Sequence, residues 1–203
     1  RARSSGGAAR RMTGTAPDTA TNDTVAAGRK GRALFRIQTF TGRYDPVEDR
    51  LRLDAVNAAG EKQSIFLTRR LVDRVIPVLV SHLEGKTPEG VPADLAQGMS
   101  QSRARQARQT GEATPAIAAD PETPSWLCRT MHFQKADQGL NVIFTDDTQT
   151  NAVMPMVEAN MRAVLDIFLD LYTKAGWPTE PFPEWIKREA TLTVAPGQGH
   201  RLN

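Results

Sequence analysis

Two stretches of this chain, Leu51–Leu83 and Leu140–Tyr172, carry apolar residues in the same order at a constant offset of 89 positions. Leu51 meets Leu140, Leu53 meets Val142, Ile65 meets Met154, Val75 meets Val164 and Leu79 meets Phe168. Such an overlay constrains the fold more than composition does, because both stretches must bury the same pattern of faces. It predicts two similar halves of short strands, each closed by one helix, the pattern that an internal duplication produces.

In the first half, residues 34–85, Leu34, Phe35, Ile37 and Phe40 lie in a β-prone run, and Gly42–Pro46 reads as a turn cluster. Leu51, Leu53 and Ala55 alternate with Arg52 and Asp54, the period of a half-buried strand. Asn57–Gly60 reads as a second turn and Gln63–Leu67 as a third strand. Thr68 is placed to cap a helix over Arg69–Glu84, on which Val72, Val75, Ile76, Leu79 and Leu83 share a face. Gly85 suits a left-handed end, and Pro77 predicts a kink. The second half, residues 124–176, repeats this order. A strand over Trp126–Phe133 precedes a hairpin turn at Asp137–Gly139 and a strand over Leu140–Thr145. A brief strand at Ala152–Met154 leads to a helix that opens at Pro155, runs to Lys174 and ends at Gly176. The expected class is α+β, with two antiparallel ββ(β)α halves packed together.

Three segments fall outside the halves. Residues 1–33 have no hydrophobic period and read as a disordered basic tail. Residues 86–123 hold Pro88, Pro92, Pro115 and Pro121 and a polar run over Ser100–Gln109, and read as a flexible linker or inserted segment, with a short helix open for part of it. Residues 177–203 read as a Trp/Pro-rich arm. Its Trp177, Phe182 and Trp185, separated by prolines, either pack back on the body or dock on a partner, and they are the expected partner-binding residues. Thr191–Val194 reads as an added edge strand.

The net charge of +3 is unevenly spread. Residues 1–34 carry seven basic and two acidic groups, residues 35–85 eight and seven, and residues 125–176 four and six. No apolar run approaches the roughly 18 residues of a membrane span, and the first 30 residues hold no apolar stretch of the kind a secretory signal needs. Cys128 is the single cysteine, which excludes an intramolecular disulfide and a cysteine-based zinc site and suggests a reducing compartment, the cytoplasm.

Chemistry-bearing patterns are sparse. Cys128 and His132 share one face of a predicted strand, but about 13 Å of extended backbone separates them, too far for a nucleophile and its base. His82 lies near a helix end, where a cation suits the dipole. Asp146 and Asp147 adjoin a polar turn without calcium-loop spacing. No phosphate-cradling glycine loop and no metal-binding histidine motif occurs. The expectation is a protein that is not an enzyme and takes no cofactor and no metal.

Two function classes follow. The first is an interaction or assembly module that binds a protein partner through Trp177, Phe182 and Trp185. The second is a nucleic-acid binder using Arg36, Arg43, Arg50, Arg52, Arg69 and Arg70, assisted by the basic tail (Arg10-Arg11, Arg29–Arg32) and by Arg103, Arg105 and Arg108 of the linker. The strand-strand-strand-helix order across residues 34–176 resembles the plan of the Pur-alpha and Whirly single-strand binders. The head of the DNA end-joining scaffold proteins has a comparable order of elements. The first resemblance implies binding through a basic sheet face with exposed aromatics. The second half offers only Arg129 and Lys135 toward such a face.

Overall fold

The alternation in Arg50–Val56 buries Leu51, Leu53 and Ala55 completely and turns Arg50 and Arg52 to the opposite face. In the computed structural model, which describes residues 34–110, 115–118, 120–147 and 151–190, this segment is the second strand of a four-stranded sheet. The first sheet has the order β2 (Thr39–Asp45), β3 (Arg50–Val56), β4 (Lys62–Leu67), β5 (Ser125–Leu127). The second has the order β1 (Phe35–Arg36), β8 (Asn151–Met156), β7 (Gly139–Thr145), β6 (Thr130–Ala136). With helices α1 (Arg69–Glu84), α2 (Ala93–Thr110), α3 (Glu158–Ala175) and α4 (Glu184–Ala190), the protein is α+β.

The two halves exchange their first strands. β1 pairs in parallel with β8 of the second half, and β5 pairs in parallel with β4 of the first. Each crossing takes a single step of backbone. Ile37 donates its N–H to Val153 of the second sheet, and Gln38 donates to Val56 of the first. Likewise Cys128 donates to Phe66 of the first sheet, and Arg129 to Thr145 of the second. The two continuous strands expected at Leu34–Phe40 and Trp126–Phe133 are therefore each broken in two. Period-2 alternation continues through the break, so the pattern of side chains does not record the change of sheet.

Other boundaries move for local reasons. β2 runs through Gly42 to Asp45, and the turn lies at Pro46–Asp49. Gly42 serves close packing instead of a turn, since a Cβ there would stand 2.9 Å from Cγ2 of Ile167 on α3. Pro155 lies in β8 opposite Asn141, and α3 opens at Glu158, because Met154 and Met156 both reach the core only while the chain stays extended. Thr68 caps α1 by accepting from the Leu71 N–H. Gly85 ends α1 in right-handed geometry with φ −63°, whereas Gly176 ends α3 in left-handed geometry with φ 67°.

The residues expected to form a spacer include α2. The single Pro92 carbonyl accepts from both Leu95 and Ala96 at the start of α2, and the segment's Ala-, Gln- and Arg-rich sequence favours helix. One buried cluster joins both halves, from Phe35 and Leu51 to Val142 and Phe168, and it also contains Trp177, Phe182, Trp185 and Ile186. No helix among the described residues is long and apolar enough to cross a membrane. The tail over residues 1–33 and the strand expected at Thr191–Val194 lie outside the described residues.

Candidate binding face on the first sheet

Cross-strand register decides which side chains share the outer face of the first sheet. Arg43, Arg52 and Phe66 lie opposite one another across β2, β3 and β4, as do Thr41, Asp54 and Ser64. Arg50 faces Asp45, and Lys62 faces Val56. Three of the six arginines expected to hold nucleic acid, Arg43, Arg50 and Arg52, therefore meet on one surface.

Asp54 organises that surface. It is an outward strand residue and yet only 2% exposed. Its Oδ1 accepts from Arg52 Nε at 2.7 Å and from Ser64 Oγ at 2.7 Å, while Oδ2 lies 3.3 Å from Arg43 Nε. Arg52 also donates to Ser64 Oγ, and its guanidinium lies over the Phe66 ring at 5.7 Å from the centroid. A buried carboxylate needs such partners, and two guanidinium groups plus a hydroxyl provide them.

Residues following α2 cross this face before entering β5. The Ile117 N–H donates to Thr41 Oγ1 at 2.8 Å, and its carbonyl accepts from Arg43 Nη2 at 2.9 Å. Lys62 Nζ donates to the Ala118 carbonyl at 3.0 Å and to Asp120 Oδ2 at 3.1 Å. Side chains of β2 and β4 thus grip the backbone of Ile117 and Ala118 in a strap over the face.

The remaining expected residues lie elsewhere. Arg36 is on β1 at the edge of the other sheet, with no acidic partner among the described residues. Arg69 pairs with Asp73 at 3.5 Å and Arg70 is exposed beside it, both in the first turn of α1. Arg105 and Arg108 both bind the Asp166 carboxylate of α3, so two linker arginines face the body and not a ligand. Arg103 is exposed. The clusters Arg10-Arg11 and Arg29–Arg32 lie outside the described residues. Trp177, Phe182 and Trp185 are 8%, 2% and 2% exposed, which corrects their assignment as docking residues: their rings are core. Trp177 Nε1 donates to Asp49 and Trp185 Nε1 to Glu84, so even their polar atoms are engaged.

Cys128 and His132 do not meet. Cys128 is buried where the chain leaves the first sheet, and its thiol donates to the Thr130 carbonyl. His132 is exposed on the far face of β6. Burial first, and Asp146 to a smaller degree, push the Cys128 thiol up to about 11, against the pull of backbone groups of Thr145 and Thr130. Its folded value lies above the ordinary value of 9.0, so ionisation opposes folding. The associated stability is complete below about pH 9 and is lost as pH rises toward about 11. At neutral pH the native thiol should react with a disulfide reagent at least about 100-fold more slowly than in urea. Equal rates in the two conditions would refute the burial argument.

Asp147 pairs with Arg129 at 3.0 Å. Among the described residues, no group of three or more His, Cys, Asp or Glu side chains is arranged to hold a metal ion. No protein-family model matches the chain, and no curated protein or solved structure matches it.

Sequence reasoning missed Asp54, Ser64, Thr41 and Lys62. The signal was present in part, since Asp54 follows Arg52 at the two-residue spacing of one strand face. What it lacked was the partner strand and the strap.

Proposed function

We propose that the protein is a non-enzymatic binding module that takes an extended segment of polypeptide on the outer face of its first sheet. One observation carries the reading: Thr41, Arg43 and Lys62 already hold the backbone of Ile117 and Ala118 there. Side chains that bind main-chain groups recognise extended polypeptide with little regard to its sequence, and a partner segment offers the same donors and acceptors.

The charge balance favours a peptide over a nucleic acid. Arg43, Arg50, Arg52 and Lys62 are offset on or beside this face by Asp45, Glu48, Asp54 and Asp120. A face with four cations and four anions gains little from counterion release, which dominates binding to a phosphate backbone. Phe66 is also covered by Arg52 and is not a free stacking platform.

The test uses the full chain with residues 115–120 replaced by a longer Gly-Ser stretch, which frees the face. A labelled synthetic peptide of residues 115–124 should bind this variant saturably. It should bind the intact chain at least about tenfold more weakly, because a tethered strap competes at an effective concentration of roughly millimolar. Removing Arg43 and Lys62 together should weaken binding by at least about tenfold, about 1.4 kcal/mol. A peptide that fails to bind, or that ignores R43A/K62A, sinks the proposal. Binding of oligothymidylate in its place, weakening steeply with salt, would transfer the face to the nucleic-acid class.

A further inference from the structure

A second concave site lies away from the strap. The C-terminal end of α1, the β6–β7 hairpin and the start of α3 line an open concavity of about 370 Å³ formed by His82, Lys86, Lys135, Gly139, Val157 and Glu158, with both lysines exposed. Three elements therefore bring two lysines and a histidine to one concavity. Neither Lys86 nor Lys135 has an acidic partner within ion-pair reach among the described residues. The nearby Glu158 carboxylate is already taken, since its Oε1 accepts from both Nε and Nη2 of Arg162 at 3.1 and 2.9 Å. Asp137, in the hairpin turn at the rim, is the other acid lining the site.

His82 Nε2 is the one buried side-chain nitrogen or oxygen without a hydrogen-bond partner among the described residues. α3 opens here with Val157 at its N-cap, which offers no side-chain acceptor to the first-turn amides. Those amides and the positive end of α3 add to the field of the two ammonium groups, against the negative C-terminal end of α1.

We infer that this cavity binds a tetrahedral oxyanion, a phosphate or sulfate group, held between Lys86 and Lys135. At about 30 Å³ of liquid volume per water, the cavity exceeds a bare anion and has room for a small molecule that carries one. The groups facing His82 are Lys86 just past the end of its own helix, Lys135 and Asp137 from the hairpin, and Glu158 from α3. Burial, then Lys86 and Lys135, hold the imidazole below the ordinary histidine value, with Glu158 acting in the opposite direction. An anion between the lysines reverses that field, so His82 serves as a built-in reporter.

The chain has three histidines, and their ring signals are assignable by single substitution. Sulfate is the first probe, because it stays doubly charged throughout the range in which histidine titrates. Adding sulfate at constant ionic strength should move the His82 ring signals saturably and raise its apparent pKa, while His132 stays unchanged. Affinity should tighten as pH falls through the His82 titration, and H82Q should abolish that dependence while retaining binding. K86Q and K135Q should each weaken binding at least about tenfold. K174Q, which removes an exposed lysine paired with Asp170 at the far end of α3, should change nothing. A His82 signal that ignores sulfate, that responds equally to chloride, or that responds undiminished in the K86Q/K135Q double variant overturns the proposal. Glycerol phosphate binding more tightly than inorganic phosphate would identify the ligand as an organic phosphate, and equal affinity would identify the free anion.

Discussion

Trp185→Ala should unfold at a markedly lower urea concentration than the parent chain, with a loss of about 3–5 kcal/mol, the usual cost of emptying a buried aromatic site. The side chain is 2% exposed. Its Nε1 donates to Glu84 at 3.0 Å, and its ring lies 5.8 Å from the Arg162 guanidinium. Gly98 of α2 also lies against it, and a Cβ there would stand 3.9 Å from the Trp185 Cβ, an ordinary contact distance. The indole thus joins α1, α2, α3 and α4. Trp185→Phe keeps most of the apolar contact and loses one hydrogen bond to a partly exposed carboxylate, so it should cost far less, about 1 kcal/mol beyond any repacking. If Trp185 were instead a docking residue, Trp185→Ala would leave the urea midpoint unchanged. An unchanged midpoint would therefore restore the partner-binding assignment and remove the packing account.

Much of the architecture was legible because apolar side chains mark it. β3 and β7 begin at Arg50 and Gly139, β4 and β8 at Lys62 and Asn151, and α1 and α3 at Arg69 and Glu158. Each pair is separated by the 89 positions of the sequence overlay. β2 and β6, which begin at Thr39 and Thr130, are offset by two further residues. The exchange of first strands was not legible. β1 has two residues and β5 three, and their pairing partners are more than 50 residues away in sequence. Alternation shows which side chains face a core, not which sheet carries them.

α2, 18 residues long where at most a short helix was legible, was obscured for the opposite reason. Its apolar residues Leu95 and Met99 are 58% and 51% exposed, while its buried residues are Gln97 and Gln101. A helix that docks through polar side chains has no apolar stripe to read. The binding face shows the same limitation. Arg43, Arg50 and Arg52 were identifiable as basic strand residues, but their sharing of Asp54 and Glu48 and the strap across them depend on contacts between distant segments. The C-terminal aromatics illustrate how local pattern misleads. Prolines between Trp177, Phe182 and Trp185 suggested an extended arm with packing and docking both open, whereas Trp177 and Phe182 pack T-shaped with Tyr172 at centroid distances of 5.1 and 5.2 Å.

Because α2 is fixed by polar contacts, breaking one of them should release it. Arg162 is 3% exposed. Its Nη2 donates to Gln97 Oε1 at 2.7 Å and to Glu158 Oε1 at 2.9 Å, and Gln101 Nε2 donates back to the Arg162 carbonyl at 3.1 Å. Gln97 in turn donates to the Leu83 carbonyl and to Thr87, which ties α2 to the end of α1. Arg162→Ala strips the partner from a buried glutamine oxygen and empties the space beneath Trp185. A loss of about 2–4 kcal/mol is expected, from the unpartnered glutamine oxygen and the space left behind. Glu158→Ala should cost about 1–3 kcal/mol, because it leaves the buried Arg162 guanidinium without its anion, although that carboxylate side chain is itself 43% exposed and water screens part of the pairing. Hydrogen exchange separates release of α2 from a general loss of stability. In Arg162→Ala the amides of Gln97–Gln101 should lose more protection than those of β3 and β7, since the sheets keep their own apolar contacts. Uniform loss across helix and sheets would mean that Arg162 supports the whole core instead of latching α2. The Arg162→Ala/Trp185→Ala pair should also fall short of additivity by about 0.5–2 kcal/mol, because the guanidinium and the indole are in contact.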